Sequence, residues 1–343
     1  MVLESSPMEF LGSNILSIDQ FDRKDIDLVF KTADSLFPFA SRQKITRVLQ
    51  GAILSNMFFE PSTRTRISFG SAFNMLGGEV RETTEVEATS LAKGESLYDT
   101  SRVLSGYSDV IVMRHPDVGS VAEFAEASRV PVINGGDGDN EHPSQALLDL
   151  FTIKKELESH KKDIGSARIA LIGDLKYGRA VHSLCKILML YDNLSIKLVS
   201  PSRLKLPEFL VSELQKKSIS FIETSDIKEG ISDVDILYMT RIQEERFDNS
   251  SEANKYKGLM SLNQDIYTKN CEPNTVIMHP LPRDSRADAN ELDDDLNQNP
   301  NLAIYRQTDN GLLIRMALFA LILGVSDKIH ETSSSVNWFS NKS

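Results

Sequence analysis

Arginines, histidines and hydroxyl side chains in this sequence recur at one kind of place, directly after a short apolar run. Ser62-Thr63-Arg64-Thr65-Arg66 follows the run 52–59, and Arg114-His115-Pro116 closes the run 109–114. His142-Pro143-Ser144-Gln145 comes after the run 130–134 and a glycine cluster at Gly135, Gly136 and Gly138. Asp174-Leu175-Lys176-Tyr177-Gly178-Arg179 starts where the run 168–174 stops. Arg241-Ile242-Gln243 follows the run 234–240, and His279-Pro280-Leu281-Pro282-Arg283 follows 275–278. In an open parallel sheet, ligands bind beyond the carboxyl ends of the strands. If these runs are strands, their ends deliver cations, imidazoles and hydroxyls to one edge. Such an edge lines a pocket for small, multiply anionic ligands.

Ser62-Thr63-Arg64-Thr65 sits where a strand should turn into a helix, read as 66–76. A helix N-terminus presents unpaired N–H groups and the positive end of its dipole. Hydroxyls and an arginine at the same spot suit a phosphate or phosphonate. The bland alternative is a plain N-cap, since Ser and Thr cap helices well. Three hydroxyls and two arginines between Ser62 and Arg66 exceed what a cap needs. Arg114 ends an apolar strand, which aims it at the cleft rather than at solvent, the usual surrounding of Arg. His142 taken alone reads equally as a loop histidine satisfied by its surroundings. Gln145 follows it by one helical turn and can share its face. Arg179 opens a helix, where a cation opposes the dipole, so a compensating anion is expected. Arg241 and Gln243 alternate on a strand end and can face the same side; their alternative is a solvated strand terminus. Ser90 and Lys93 lie in the polar loop Ser90-Leu91-Ala92-Lys93-Gly94-Glu95-Ser96, where a lysine is ordinarily solvated.

The elements that must carry these residues alternate. Strand-like runs occupy 52–59, 109–114, 130–134, 168–174, 194–200, 219–222, 234–240 and 275–278, with a further one near 79–83. Several are near-continuous Val, Ile and Leu, which suits strands buried on both faces. Helical periodicity fills the gaps, for example at 144–158 and 179–191. Strand–helix alternation implies right-handed βαβ units and parallel sheets, hence an α/β fold. The chain has 343 residues, and domains run about 100–200, so two are expected. Helix 144–158 bridges them. The stretch 283–301, rich in Asp and Asn, reads as a loop, and 311–325 as the last helix. The tail 331–343 is polar and expected to fray.

Composition removes several classes of function. The formal net charge of −11 argues against a polynucleotide partner, which calls for a basic face. The two cysteines, Cys185 and Cys271, form no CxxC pair or zinc set, so a reducing, cytoplasmic setting fits. The first ten residues contain Glu4 and Glu9 and no apolar h-region, so no signal peptide is expected. The longest apolar stretch, 316–325, is about half of what a bilayer requires and reads as a core-facing helix; no membrane association is expected. Gly173-x-x-x-x-Gly178-Arg179-Ala180 resembles a Walker A loop but lacks the Lys and the Mg²⁺-binding hydroxyl. Gly135-Gly136-Asp137-Gly138 is not a dinucleotide fingerprint. HExxH and GxSxG are absent, and the six histidines are scattered. No metal and no cofactor is called for.

Phe59-Glu60-Pro61-Ser62-Thr63-Arg64-Thr65-Arg66 resembles the carbamoyl-phosphate signature of the aspartate/ornithine carbamoyltransferase family. Met113-Arg114-His115-Pro116, His142-Pro143-Ser144-Gln145, Asp174 to Arg179, Met239-Thr240-Arg241-Ile242-Gln243 and His279-Pro280-Leu281-Pro282 are similar to its other motifs, in the family's order, over about 10–325. The resemblance implies two doubly wound domains, each a parallel sheet flanked by helices, with the C-terminal helix returning to the first. Residues 1–143 with 311–330 would bind carbamoyl phosphate, 144–310 would bind aspartate, and 331–343 would be a polar tail. It implies attack of the L-aspartate α-amine on carbamoyl phosphate, giving N-carbamoyl-L-aspartate and phosphate, the committed step of pyrimidine biosynthesis. Ser62, Thr63, Arg64, Thr65 and Arg114 would hold the phosphate. Thr65, Arg114 and His142 would polarise the carbonyl, and Gln145 with the backbone at Pro280 and Leu281 would hold the carbamoyl NH₂. Arg179, Arg241 and Gln243 would meet the aspartate carboxylates. Ser90 and Lys93 would reach in from a neighbouring subunit of a homotrimer, Lys93 toward aspartate. A regulatory chain or other pathway enzymes are further possible partners.

Arg241 suits a side-chain carboxylate and would repel an ornithine ammonium, and the His279 motif lacks the Cys of ornithine-specific members. A different amine acceptor and a non-enzymatic binding protein of the same fold are the alternatives. The proton acceptor is open between His142, the departing phosphate and another base; a neutral His142 donating to the carbonyl is the preferred role. The chain departs from the family's pattern after Arg283, where Asp284-Ser285-Arg286-Ala287-Asp288 opens a longer loop. The segment 247–257 aligns only after a gap, which would match Glu252 to a glutamate that pairs across subunits in some relatives.

Overall fold

The computed structural model describes residues 8–84, 94–247, 249–286 and 288–338. The chain divides into two compact units, 1–147 with 310–343, and 148–309. The divisions fall inside two continuous helices, Pro143–Ser159 and Ile304–Ile322.

Each unit is built on one parallel sheet. In the first, β2 (Ile53–Phe58), β3 (Glu79–Thr83), β4 (Val110–His115) and β5 (Val132–Asp137) lie in the order β3-β2-β4-β5. In the second, β6 (Arg168–Ile172), β7 (Ser195–Val199), β8 (Ser220–Thr224), β9 (Ile236–Met239) and β10 (Val276–Met278) lie in the order β10-β9-β6-β7-β8. All pairs within both sheets are parallel. The expected α/β class with two helix-flanked parallel sheets is what the chain adopts. The interior strand β9 is apolar and buried on both faces, and β10 at the sheet edge is buried too, where Ile277 bridges to Leu302. The edge strands β3 and β8 carry exposed charge instead, as edges that must not recruit further strands do. The second core gathers Ala170, Ile172, Leu237, Met239 and Ile277 from the sheet.

Several boundaries differ from the sequence expectation. The helix after β2 spans Thr63–Met75, not 66–76, because the Arg66 N–H already bonds to the Ser62 carbonyl at 3.3 Å. The last long helix begins at Ile304, seven residues before the expected start. Gln307 N–H closes its first turn on Ala303 at 2.8 Å, and Asp309-Asn310-Gly311 is carried inside it. It ends at Ile322, and just beyond it Gly324, with a φ of 66°, lets Val325 N–H reach back to Ala320 at 2.8 Å. The stretch 283–301 is more than a loop. Leu292 and Leu296 enter the second core, and Asp294–Gln298 forms a 3₁₀ turn. The tail does not fray at 331: β11 (Ser334–Ser335) pairs antiparallel with β1 (Lys44–Ile45), and Thr332 bonds to Thr46 at 2.8 Å.

The start of β6 is fastened to the start of β9 by charge. Asp235 accepts from Arg168 through its backbone N–H (2.9 Å), Nε (3.2 Å) and a terminal guanidinium nitrogen (2.9 Å). Lys162 bonds to the same carboxylate, and Arg168 also pairs with Asp233. Burial alone would raise the Asp235 carboxyl, but these donors overcome it and hold its pKa at about 2. The shift from an ordinary aspartate corresponds to about 2 kcal/mol. Because the folded value is depressed, this contribution is present above about pH 4 and is lost as pH falls toward 2. Asp235→Asn is expected to lower the melting temperature by about 4–8 °C at pH 7, with the difference from wild type shrinking between pH 4 and 2, as read by calorimetry.

Candidate active site

In both sheets the strand order reverses beside the first strand, between β2 and β4 and between β6 and β9. Chains leaving the carboxyl ends there diverge to opposite faces and open a crevice. The residues singled out in the sequence follow these strands.

In the first unit, β2 runs into Glu60-Pro61 and then the helix Thr63–Met75. Ser62 is the N-cap, but its side chain makes no capping bond, so its hydroxyl is not spent as a plain cap would spend it. Thr63 and Arg64 are exposed, and Thr65 is half-buried. Arg66 serves structure: it pairs with Glu82 of β3 at 2.7 Å, and its carbonyl accepts from Asn56 at 3.0 Å. Arg114, on the adjacent β4, is buried, and its Nε and a terminal nitrogen lie 2.9 and 2.8 Å from Glu60 Oε2. Glu60 thus supplies a counter-charge to a buried arginine within the same site, and nothing in the sequence pairs the two, 54 residues apart.

His142 is buried at the end of a rigid turn. Asp137 accepts from Asn134 Nδ2 (2.9 Å), Glu141 N–H (3.1 Å), Gly119 N–H (3.0 Å) and Asn140 Nδ2 (3.1 Å). This carboxylate fixes the turn between β5 and His142. Pro143 then starts the helix, where its fixed φ is favourable and its missing N–H costs nothing. The His142 carbonyl accepts from Gln145 N–H at 2.9 Å, which places Gln145 in the first turn.

In the second unit, Asp174 organises the crevice. It is fully buried. One oxygen accepts from the N–H groups of Lys176 (3.2 Å) and Tyr177 (3.0 Å), and the other from Gln243 N–H at 3.1 Å. The loop leading to Arg179 and the segment carrying Arg241 and Gln243 are therefore tied through one carboxylate. Burial pushes the Asp174 carboxyl up, against the pull of those N–H groups. Gly173 permits the approach: its φ is 119°, and a Cβ there would fall 2.2 Å from the Thr240 carbonyl oxygen. Arg179 is half-buried at the start of the helix Arg179–Leu188, whose N-cap is Gly178. Arg241 pairs with Glu245, and its NH1 also bonds to the Ile242 carbonyl at 3.0 Å. Burial would lower the Arg241 pKa, but Glu245 outweighs it and raises it. Arg241 and Gln243 lie beyond β9, which ends at Met239, rather than on the strand itself. The Tyr177 ring packs tilted against Phe247 at 5.2 Å, and Phe247 against Tyr256 at 6.0 Å, which joins the two segments a second time.

Pro280 and Leu281 follow β10, and Leu281 has a φ of 57° with a cis bond to Pro282. Ser90 and Lys93 lie outside the described residues. Among the described residues, no group of three His, Cys, Asp or Glu side chains could hold a metal ion, and no helix is long and apolar enough to cross a membrane. Sequence reasoning assigned no role to Glu60, Asp174, Glu245 or Asp137. Only the i, i+4 spacing of Arg241 and Glu245 was a usable signal.

The model of the carbamoyl-P binding domain of aspartate/ornithine carbamoyltransferases matches residues 13–155, and that of the Asp/Orn binding domain matches 166–322. The chain belongs to the aspartate/ornithine carbamoyltransferase family. Within it, the chain is 64% identical over 334 residues to an aspartate carbamoyltransferase catalytic subunit of Cellvibrio japonicus, covering 97% of this chain and 99% of the relative. It is 65% identical to that of Saccharophagus degradans, covering 98% and 99%. Among solved structures, Trypanosoma cruzi aspartate transcarbamoylase in complex with N-(phosphonacetyl)-L-aspartic acid superposes with a TM-score of 0.84 at 36% identity, over 92% of this chain and 98% of that one. The catalytic subunit of M. jannaschii aspartate transcarbamoylase gives 0.82 at 39%, over 92% and 99%. For this carbamoyltransferase, Asp174→Ala is expected to speed amide hydrogen exchange at least about tenfold in both 174–179 and 241–246, as measured by mass spectrometry. Acceleration in one segment alone would show that the carboxylate does not join them.

Proposed function

We propose that this chain transfers the carbamoyl group of carbamoyl phosphate to the α-amine of L-aspartate, giving N-carbamoyl-L-aspartate and phosphate. Membership of the family supports carbamoyl transfer. The observation that carries the acceptor is the tie through Asp174, which groups Arg241 and Gln243 with the loop leading to Arg179. Two arginines so placed suit a dicarboxylate.

In this reading Ser62, Thr63, Arg64, Thr65 and Arg114 take the phosphate. Thr65, Arg114 and His142 polarise the carbonyl oxygen, while Gln145 and the main chain at Pro280 and Leu281 take the carbamoyl NH₂. The aspartate nitrogen bonds to the carbonyl carbon, charge collects on the carbonyl oxygen, and the carbon–oxygen bond to phosphate breaks. The electron pair leaves with phosphate. Fixed donors at the oxyanion lower the barrier because they need no reorganisation as charge develops. Arg179, Arg241 and Gln243 hold the two carboxylates so that the neutral amine faces the carbon. The amine proton goes to phosphate, His142 or another base. Placement in pyrimidine biosynthesis, in a reducing cytoplasm, follows from the same reading.

The assembly is read as a homotrimer in which Ser90 and Lys93 of one subunit complete a neighbour's site, with Lys93 meeting aspartate. Curated relatives bear the words catalytic subunit, which supports a regulatory chain as a further partner.

Steady-state assays should give carbamoyl-aspartate from aspartate and no product from ornithine; faster turnover of ornithine would reassign the acceptor. Arg64→Ala and His142→Ala are each expected to lower kcat by about 10²–10³. Arg241→Ala is expected to act mainly on the KM for aspartate. Lys93→Ala and His142→Ala proteins, each inactive alone, should regain activity when dissociated and reassembled together. Persistent inactivity of the mixture would mean that sites are not shared.

A further inference from the structure

A buried chain of hydrogen bonds stands behind Leu281. Its N–H donates to His279 Nδ1 at 2.8 Å. With Nδ1 accepting, the ring proton sits on Nε2, which donates to Glu291 Oε1 at 2.8 Å. His279 is 1% and Glu291 5% exposed, so neither is placed to touch a solvent-borne ligand. Glu291 also accepts the Asp284 N–H at 3.1 Å. The His279 main-chain N–H donates to Gln307 Oε1 at 2.9 Å, and Gln307 Nε2 to Asp149 at 2.6 Å. Burial pushes the imidazole pKa below its ordinary value; Glu291 opposes that, and Arg283 and Arg241 add to it.

We propose that His279 and Glu291 are positioning residues that set the Leu281 main chain for the carbamoyl amino group. The proposal rests on the reading above that gives this main chain to the carbamoyl NH₂. Leu281 holds a φ of 57°, a left-handed conformation that a side chain with a γ-branch does not favour. A residue held there needs its surroundings to fix it. The His279 Nδ1 bond does so directly. Glu291 acts one step behind: by accepting from Nε2 it fixes the tautomer that leaves Nδ1 free to accept. Without Glu291, the proton can move to Nδ1, where it would face the Leu281 N–H, and the peptide would turn. Glu291 lies beyond the atypical stretch after Arg283, twelve residues from His279, so folding back that stretch is what completes the bond.

The test is equilibrium binding to the full-length assembled protein of carbamoyl phosphate and, separately, of inorganic phosphate. The Leu281 main chain serves the carbamoyl end only. Glu291→Ala and His279→Leu are therefore expected to weaken carbamoyl phosphate binding by about tenfold or more while leaving inorganic phosphate within about twofold. His279→Asn, whose amide oxygen can accept the Leu281 N–H, should recover most of the loss. Equal weakening of both ligands would mean a merely structural role and would overturn the proposal, as would unchanged carbamoyl phosphate binding. If Glu291→Ala does not fold, the two His279 variants decide, and equal affinities for them reject the idea. A wild-type protein that forms no carbamoyl-aspartate would instead sink the parent reading.

Discussion

A parallel strand cannot turn straight back into its neighbour; each must be followed by a crossover. All carboxyl ends of one sheet therefore lie along a single edge, and residues far apart in sequence are delivered there together. In this chain, both sheets obey that constraint and reverse their order beside the first strand. Phe59 to Arg66 and Arg114 leave neighbouring strands of one sheet, and Asp174 to Arg179 and Arg241 to Gln243 leave neighbouring strands of the other. The candidate site residues of each unit sit on its own sheet edge.

Carboxylates tie these edges together, with Asp137, Asp174 and Glu291 buried, Glu60 half-buried and Glu245 exposed. Asp137 holds the turn before His142, Asp174 joins two loops, Glu60 and Glu245 neutralise site arginines, and Glu291 backs His279. A cation intended for an anionic substrate is costly to hold at low dielectric without a counter-charge. A carboxylate beside it keeps the folded apo state tolerable.

The stretch after Arg283, read from sequence as a loop, is held by contacts of its own. In the stretch after Arg283, Arg286 pairs with both Asp284 and Glu244, next to Gln243, and Lys257 reaches the same glutamate at 3.3 Å. Hydrogen bonds from Arg286 hold the Asp284 carboxyl at about 2. This stretch is thus pinned at both ends, by the ion pairs of Arg286 and by Leu292 and Leu296 in the core.

The sequence by itself determined the α/β class, because near-continuous apolar runs bounded by helical periodicity leave few alternatives, and it named the strand ends that the candidate site residues follow. It also marked Ser62 to Arg66 as more than a cap. Composition and local spacing were enough for these, since each depends on residues adjacent along the chain. The tertiary structure alone decided which groups meet. Glu60 with Arg114, Asp174 with Gln243 and Glu291 with His279 are pairings across strands or loops. It also decided that Asp309-Asn310-Gly311 stay helical and that the tail pairs with β1, because tertiary contacts outweigh local propensity. Local propensities differ by less than about 1 kcal/mol per residue, while a buried side chain or closed hydrogen bond contributes as much or more. That difference is why strands were legible and the partners of their functional residues were not.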